Sequence, residues 1–148
     1  MTLDGVDLGG TNYQFVVEKN DFVSPPKARV NQDRLAMADG DASQGSSFDA
    51  RTGVVSGVVK AADYTDLLAQ RENINRACFK TQEGPKVVTF DAFPGKQFRA
   101  RVINVIYSNE TPTTVDLSIT LYAPQPWAEA TSAATVTAVP IAGSPTTL

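Results

Sequence analysis

The chain contains no histidine, which removes the commonest general acid and base and the commonest nitrogen ligand for metals. Catalysis thereby becomes the least favoured function. Cysteine is almost absent too. Cys78 stands alone, so the chain cannot close a disulfide on itself or build a thiolate metal cluster. Lys and Arg form no run, and the formal net charge is −3. Affinity for nucleic acid comes mainly from neutralising phosphates, so this composition does not suit a DNA-gripping protein. No stretch approaches the roughly 18 to 20 apolar residues of a membrane helix, so no membrane insertion is expected. Met1-Thr2-Leu3-Asp4 lacks a basic leader, and Asp4 and Asp7 interrupt any apolar core of a signal. The protein is expected to act where it is made, or to leave only with a larger particle. Its 148 residues are enough for one domain with a core and tight for two.

What is present is mainly a β pattern. Tyr13 to Val17 reads as a first strand between Gly9-Gly10 and a polar turn. Lys27 to Val30, after Pro25-Pro26, reads as a short edge strand. Residues 39 to 53, rich in Gly, Ser and Asp, read as a long surface loop. Thr52 to Lys60 is a strand in which Gly53 and Gly57 mark bends or close backbone approach. From Asp63 to about Phe79 the period changes. Tyr64, Leu67, Leu68, Ile74 and Cys78 fall on one helical face, Asp63 caps it, and Asp66 completes a near capping box. Arg71 sits on that stripe, its stem expected along the core edge and its charge in water. Val87 to Phe90, Gln97 to Tyr107 and Thr113 to Tyr122 are strands, with a Pro94-Gly95 turn between the first two. The last alternates cleanly: Val115, Leu117, Ile119 and Leu121 face one way, Thr114, Asp116, Ser118 and Thr120 the other. One face is therefore buried and one wet.

Motifs for chemistry are weak. Asp39, Asp41 and Ser43 alternate like the start of a calcium loop, but Gln44 and Ala50 stand where that loop needs glycine and glutamate. Gly5 and Gly9-Gly10-Thr11 precede a strand instead of following one, which is the wrong order for a phosphate cradle. Asp91, Glu110 and Asp116 are carboxylates without a selecting pattern, better read as solvated strand ends. Cys78 has no histidine beside it and reads as a buried packing residue. No cofactor and no metal are expected. Glu129 to Leu148 is rich in Ala, Thr, Ser, Pro and Val and nearly free of charge. The domain division expected is a β-rich unit over 1–128 and an assembly tail over 129–148, with Trp127, Val136, Val139 and Ile141 as candidate assembly residues.

The order of these pieces resembles the N-terminal domain of siphophage distal tail proteins, also called tail-component proteins, over roughly residues 3 to 128. The leader LDGVDLGGTNYQFVV precedes a glycine loop, the strand RTGVVSGVV and one helix. Then come KVVTFDAFPGKQFRARVINV and LSITLYAPQPWAEA. Phe90-Asp91-Ala92-Phe93-Pro94-Gly95 stands where the family has an aspartate-rich turn with proline, and Tyr122 to Trp127 matches its proline-aromatic ending. Many relatives carry a second, receptor-protein-holding domain for which this chain is too short. The resemblance implies a β-sandwich or barrel of tail-tube-like type with one flanking helix, about 63–79. It further implies a hexameric homo-oligomeric ring between the tail tube and the hub or tape-measure proteins. Such a protein resides in the virion, is assembled in the host cytoplasm, and lets DNA pass without specific binding. A ring would bury the remaining sheet edges.

On this reading Thr114, Asp116, Ser118 and Thr120 are candidate channel-facing residues. An outward, solvent-facing side accounts for their alternation equally well. Competing functions are a tail-tube or tail-completion protein, and a small β-sandwich module binding a ligand such as carbohydrate. The lone Trp in a proline-rich corner speaks against the latter.

Overall fold

The computed structural model describes residues 1–34 and 41–131, with backbone alone for 30–34 and 41–46. The protein is mainly β, as the alternation predicts, with one α-helix among the described residues.

The first hairpin is hidden in the leader. β1 (Thr2–Leu3) and β2 (Val6–Asp7) pair across Asp4-Gly5, whose φ angles are +50° and +80°. Two successive positive angles match the twist of a tight hairpin, and Asp-Gly is a favoured pair for such a turn. β3 (Phe15–Asn20) begins later than Tyr13, because Gln14 takes a φ of 47° and breaks the extended run. β4 (Ala28–Arg34) and β5 (Asp41–Phe48) pair with each other as a separate two-stranded sheet. β5 corrects the expected surface loop. Its Ser, Asp and Gly content signals a segment outside the core, but backbone pairing needs no apolar side chain.

β6 (Arg51–Lys60) leads into α1 (Tyr64–Phe79) and a short 3-10 turn, Lys80–Glu83. β7 (Lys86–Thr89), β8 (Lys96–Ser108), β9 (Thr114–Ala123) and β10 (Glu129–Ala130) complete the chain. The main sheet runs β2-β1-β7-β8-β9-β6-β3 with β10 also on β8, and its pairs are antiparallel.

β8 turns this sheet back on itself. Gln97 to Ala100 pair with β7, while Arg101 to Ser108 pair with β9. The register shifts between Val102 and Asn104, and an extra residue there bends a strand and raises its twist. Phe98, Ala100 and Val102 are buried before the shift; Val105 and Tyr107 pack inward after it. Hydrogen bonds from Leu8 N–H to the Met1 carbonyl (3.0 Å) and from Phe15 N–H to the Leu8 carbonyl (2.8 Å) tie the first hairpin to β3. The fold is thus a sandwich drawn toward a barrel around one core. Val115, Leu117, Ile119 and Leu121 are fully enclosed in it, each such side chain contributing about 1.5–3 kcal/mol relative to exposure.

Two glycines of β6 are needed for close approach. A Cβ at Gly57 would lie 1.9 Å from the Val16 carbonyl oxygen, and one at Gly53 would lie 2.4 Å from Phe22 Cα. β3 lies directly against β6, as the glycine spacing suggested.

The helix starts as expected. Asp66 N–H donates to Asp63 Oδ1 at 2.8 Å, and Asp66 Oδ2 accepts from Ala62 N–H at 3.0 Å. Its buried face, however, is Leu67, Gln70, Ile74, Ala77 and Cys78, and Tyr64 and Leu68 are exposed. Periodicity fixes the repeat but not its phase. Gln70 enters the buried face because its Nε2 donates to Asp66 Oδ2 one turn earlier, at 3.0 Å.

Candidate assembly surfaces

β9 separates its faces as the alternation requires. Thr114, Asp116, Ser118 and Thr120 share the outer face, each half-buried between neighbouring strands. Across the ladder they meet Lys60, Val58, Ser56 and Val54 of β6. On the other side Asp116, Ser118 and Thr120 meet Ser108, Ile106 and Asn104 of β8. The sequence reading missed that this face also carries aliphatic side chains: Val54 and Val58, with Val16 of β3 beside Val58 and Ile106 of β8. The signal was there in the doubled valines of Val54-Val55 and Val58-Val59, since neighbours in a strand cannot both face inward. Asp116 Oδ2 accepts from Asn109 Nδ2 at 2.7 Å, which holds the carboxylate in place. Cations stand at the two ends of this face, Lys60 opposite Thr114 and Arg101 opposite Tyr122.

The four strands β8, β9, β6 and β3 end on two edges. Beyond its bond to β6, no strand pairs with β3 among the described residues. On the other side, Val102 N–H donates to Thr81 Oγ1 (2.9 Å) and its carbonyl accepts from Gln82 Nε2 (3.0 Å). From Ile103 to Ser108 no strand covers that edge among the described residues. A groove of about 370 Å³ runs between it and α1. Ile103, 52% exposed, and Phe79, 68% exposed, line it.

The groove's floor is tied to α1. Tyr107 donates its hydroxyl to Asn75 Oδ1 at 2.8 Å, and the Arg71 guanidinium lies 4.4 Å above the Tyr107 ring. Arg71 also pairs with Glu110, so its charge is partnered instead of hydrated. Burial pushes the Tyr107 hydroxyl well above its ordinary range, assisted by Cys78 and opposed by Arg71. Burial alone pushes the Cys78 thiol up to about 12, which keeps it a neutral packing group.

Other expected groups are scattered. Asp91 meets the terminal amine of Met1 at 3.3 Å, Glu110 meets Arg71, and Asp116 meets Asn109. Each carboxylate has its own partner. Among the described residues no three His, Cys, Asp or Glu gather as a metal site. Asp39 lies outside the described residues, as do the side chains of Asp41 and Ser43.

Trp127 packs edge-on against Phe48, ring centroids 4.8 Å apart, so it joins the base of the β4–β5 hairpin to the connection before β10. Glu129 and Ala130 pair with Gln97 and Lys96 of β8, and Thr131 N–H donates to the Gly95 carbonyl at 3.1 Å. Val136, Val139 and Ile141 lie outside the described residues.

No curated protein matches this sequence. Among solved structures the fold is similar to the SPP1 Dit (gp 19.1) protein, presented as a paradigm of the hub adsorption apparatus in phages infecting Gram-positive bacteria. The TM-score is 0.71 at 22% identity, over 86% of this chain and 50% of that one. This chain therefore spans about half the length of that structure, and the likeness is one of fold. The sequence itself matches the family described as phage tail protein RIFT-related domain over residues 4–123. With most of its length in that match, the chain belongs to this family of phage tail proteins.

Proposed function

We propose that the protein is a distal tail component: a non-enzymatic structural protein whose copies form a hexameric ring joining the tail tube to the hub around the DNA channel. The observation that carries this reading is that, among the described residues, β3 and the upper part of β8 leave open edges on the two sides of the β8-β9-β6-β3 part of the main sheet. Three antiparallel steps separate β3 from β8, so the two edges run in opposite directions. β3 of one copy can extend the ladder of the upper β8 of the next without breaking its alternation. Such a contact joins two different patches, and repeated by rotation it closes into a ring. The upper edge of β8 also lacks the charges and prolines that natural edges use against unwanted pairing.

Bulk sets the curvature. The inner face of this sheet carries the core, the second half of the sandwich and α1, and a closed ring has more room for bulk at its outer radius. The bare face, with Thr114, Asp116, Ser118 and Thr120, then turns to the channel. Those four side chains include no cation, and the aliphatic groups between them offer nothing to phosphate. DNA slides past such a wall, because each Lys or Arg at a phosphate adds affinity through counterion release. Trp127 and the segment beyond Thr131, with Val136, Val139 and Ile141, serve docking to the next ring, to tube, hub or tape-measure proteins. The protein resides in the virion after assembly in the host cytoplasm.

Negative-stain images of the purified chain test this. Single rings with a central hole are the expected result. Long stacked tubes would favour a tail-tube protein, and a monomer at every concentration would favour a small β-sandwich binding module.

A further inference from the structure

Arg51, the first residue of β6, is 8% exposed and sits against the aromatic end of the core. Its guanidinium carbon lies 4.9 Å from the Phe98 ring centroid and 5.9 Å from that of Phe22. Nη1 donates to the Phe22 carbonyl at 3.3 Å, while Nε has no hydrogen-bond partner. Among the described residues no carboxylate lies within 4.0 Å of it. The nearby acids are committed elsewhere: Asp21 to Lys19 at 3.2 Å and Asp49 to Arg29 at 3.0 Å. A buried cation with an orphaned donor is costly, since removal from water is offset only by a well-placed counter-charge. Arg51 also lines a cleft of about 400 Å³ at the base of the β4–β5 hairpin, together with Asp21, Asp49, Ser24, Lys27 and Thr52.

We infer that this cleft is a carboxylate-binding site in which Arg51 receives an acidic side chain of a partner protein. The planar fork of a guanidinium matches a carboxylate bidentately, and the Phe98 and Phe22 rings lie within cation–π distance of it. Ser24 and Thr52 border the cleft with hydroxyls and Lys27 adds a positive charge, while the carboxylates of Asp21 and Asp49 in the same lining are neutralised by Lys19 and Arg29. Arg51 is itself 8% exposed, and a hydrogen bond made by so buried a group counts for more than one in water. The site stands on a single copy of the chain and does not depend on ring formation, so the two readings fail separately.

Sodium acetate at neutral pH serves as the probe, with sodium chloride at equal ionic strength as control. The Nε–Hε resonance of Arg51 should move saturably with acetate and remain still with chloride. About 100 mM acetate should raise the melting temperature by roughly 3 °C over the chloride control, as a ligand selective for the native state does. Arg51→Met should abolish that difference, and Arg51→Lys, which lacks the fork, should not restore it. An Arg51 resonance indifferent to acetate in the wild type overturns the site, whatever the variants do. So does an equal acetate effect in the wild type and Arg51→Met.

Discussion

Along β8, the half from Lys96 to Arg101 and the half from Val102 to Ser108 differ in both neighbours and charge. The lower half is enclosed, with β7 on one side and β10 and the end of β9 on the other. It carries Lys96, Arg99 and Arg101, and Arg99 reaches Glu129 of β10 at 3.5 Å. Among the described residues the upper half pairs with β9 alone, apart from the bonds of Val102 to Thr81 and Gln82, and it holds no charged residue. Edge strands not meant to pair are normally blunted with charge, proline or a covering element. Here the charges fall where the fold already supplies partners, and the open stretch, Ile103 to Ser108, is Ile-Asn-Val-Ile-Tyr-Ser. On the reading proposed above, the lower half serves folding and the upper half assembly, and the register shift between Val102 and Asn104 falls at the start of the upper half.

Mutations should separate the two roles. In the lower half, Phe98 joins Phe22 and Phe90 in a cluster with centroids 5.2 and 6.2 Å away. Phe98→Ala should cost about 3–5 kcal/mol in urea unfolding of the monomer. If the loss were below about 1 kcal/mol, the lower half would not be the structural half. The upper half's connection to α1 is tested by pH. Cys78 is raised from 9.0 to about 12 in the folded chain. The folded state therefore holds that proton more tightly, and its contribution is complete below pH 9 and is lost as pH rises toward 12. Urea midpoints should fall over that window, and Cys78→Ala should flatten the fall. Tyr107 shifts in the same direction for the same leading cause, burial. Replacing it with Phe leaves Asn75 Oδ1 without its donor, and should cost about 1 kcal/mol.

Much of the fold was legible in the sequence, though this division of β8 was not. β9 announced both its faces, because a strand with one side in the core has no other way to satisfy a period of two. Asp63 and the Pro94-Gly95 turn were legible because their chemistry is local; Gly95 takes a φ of 75° as the turn requires. β5 was not legible, since it pairs through backbone in a segment without an apolar pattern. The β1–β2 hairpin was legible in principle from Asp4-Gly5, though two-residue strands leave no periodicity to read. On α1 the buried Leu67, Ile74 and Cys78 were legible from the period, whereas the burial of Gln70, whose Nε2 donates to Asp66, and the exposure of Tyr64 and Leu68 were not. Likewise the open edge of β8 is a property of strand order, which depends on contacts far apart in the chain. The candidate face was therefore visible residue by residue, and the edges that give it a purpose were not.

The smallest change in monomer stability should accompany the largest change in assembly. Ile106 is exposed on the open edge, and Ile106→Lys should alter unfolding of the monomer by no more than about 0.5 kcal/mol. The same substitution puts a charge where a neighbouring strand must add. Native mass spectrometry of the wild type and of Ile106→Lys over a range of concentrations tests the claim most directly. The wild type should give a closed hexamer and the folded variant a monomer. A wild type that stays monomeric throughout, or a variant that still forms the same closed ring, would contradict the assignment of the upper β8 edge to assembly.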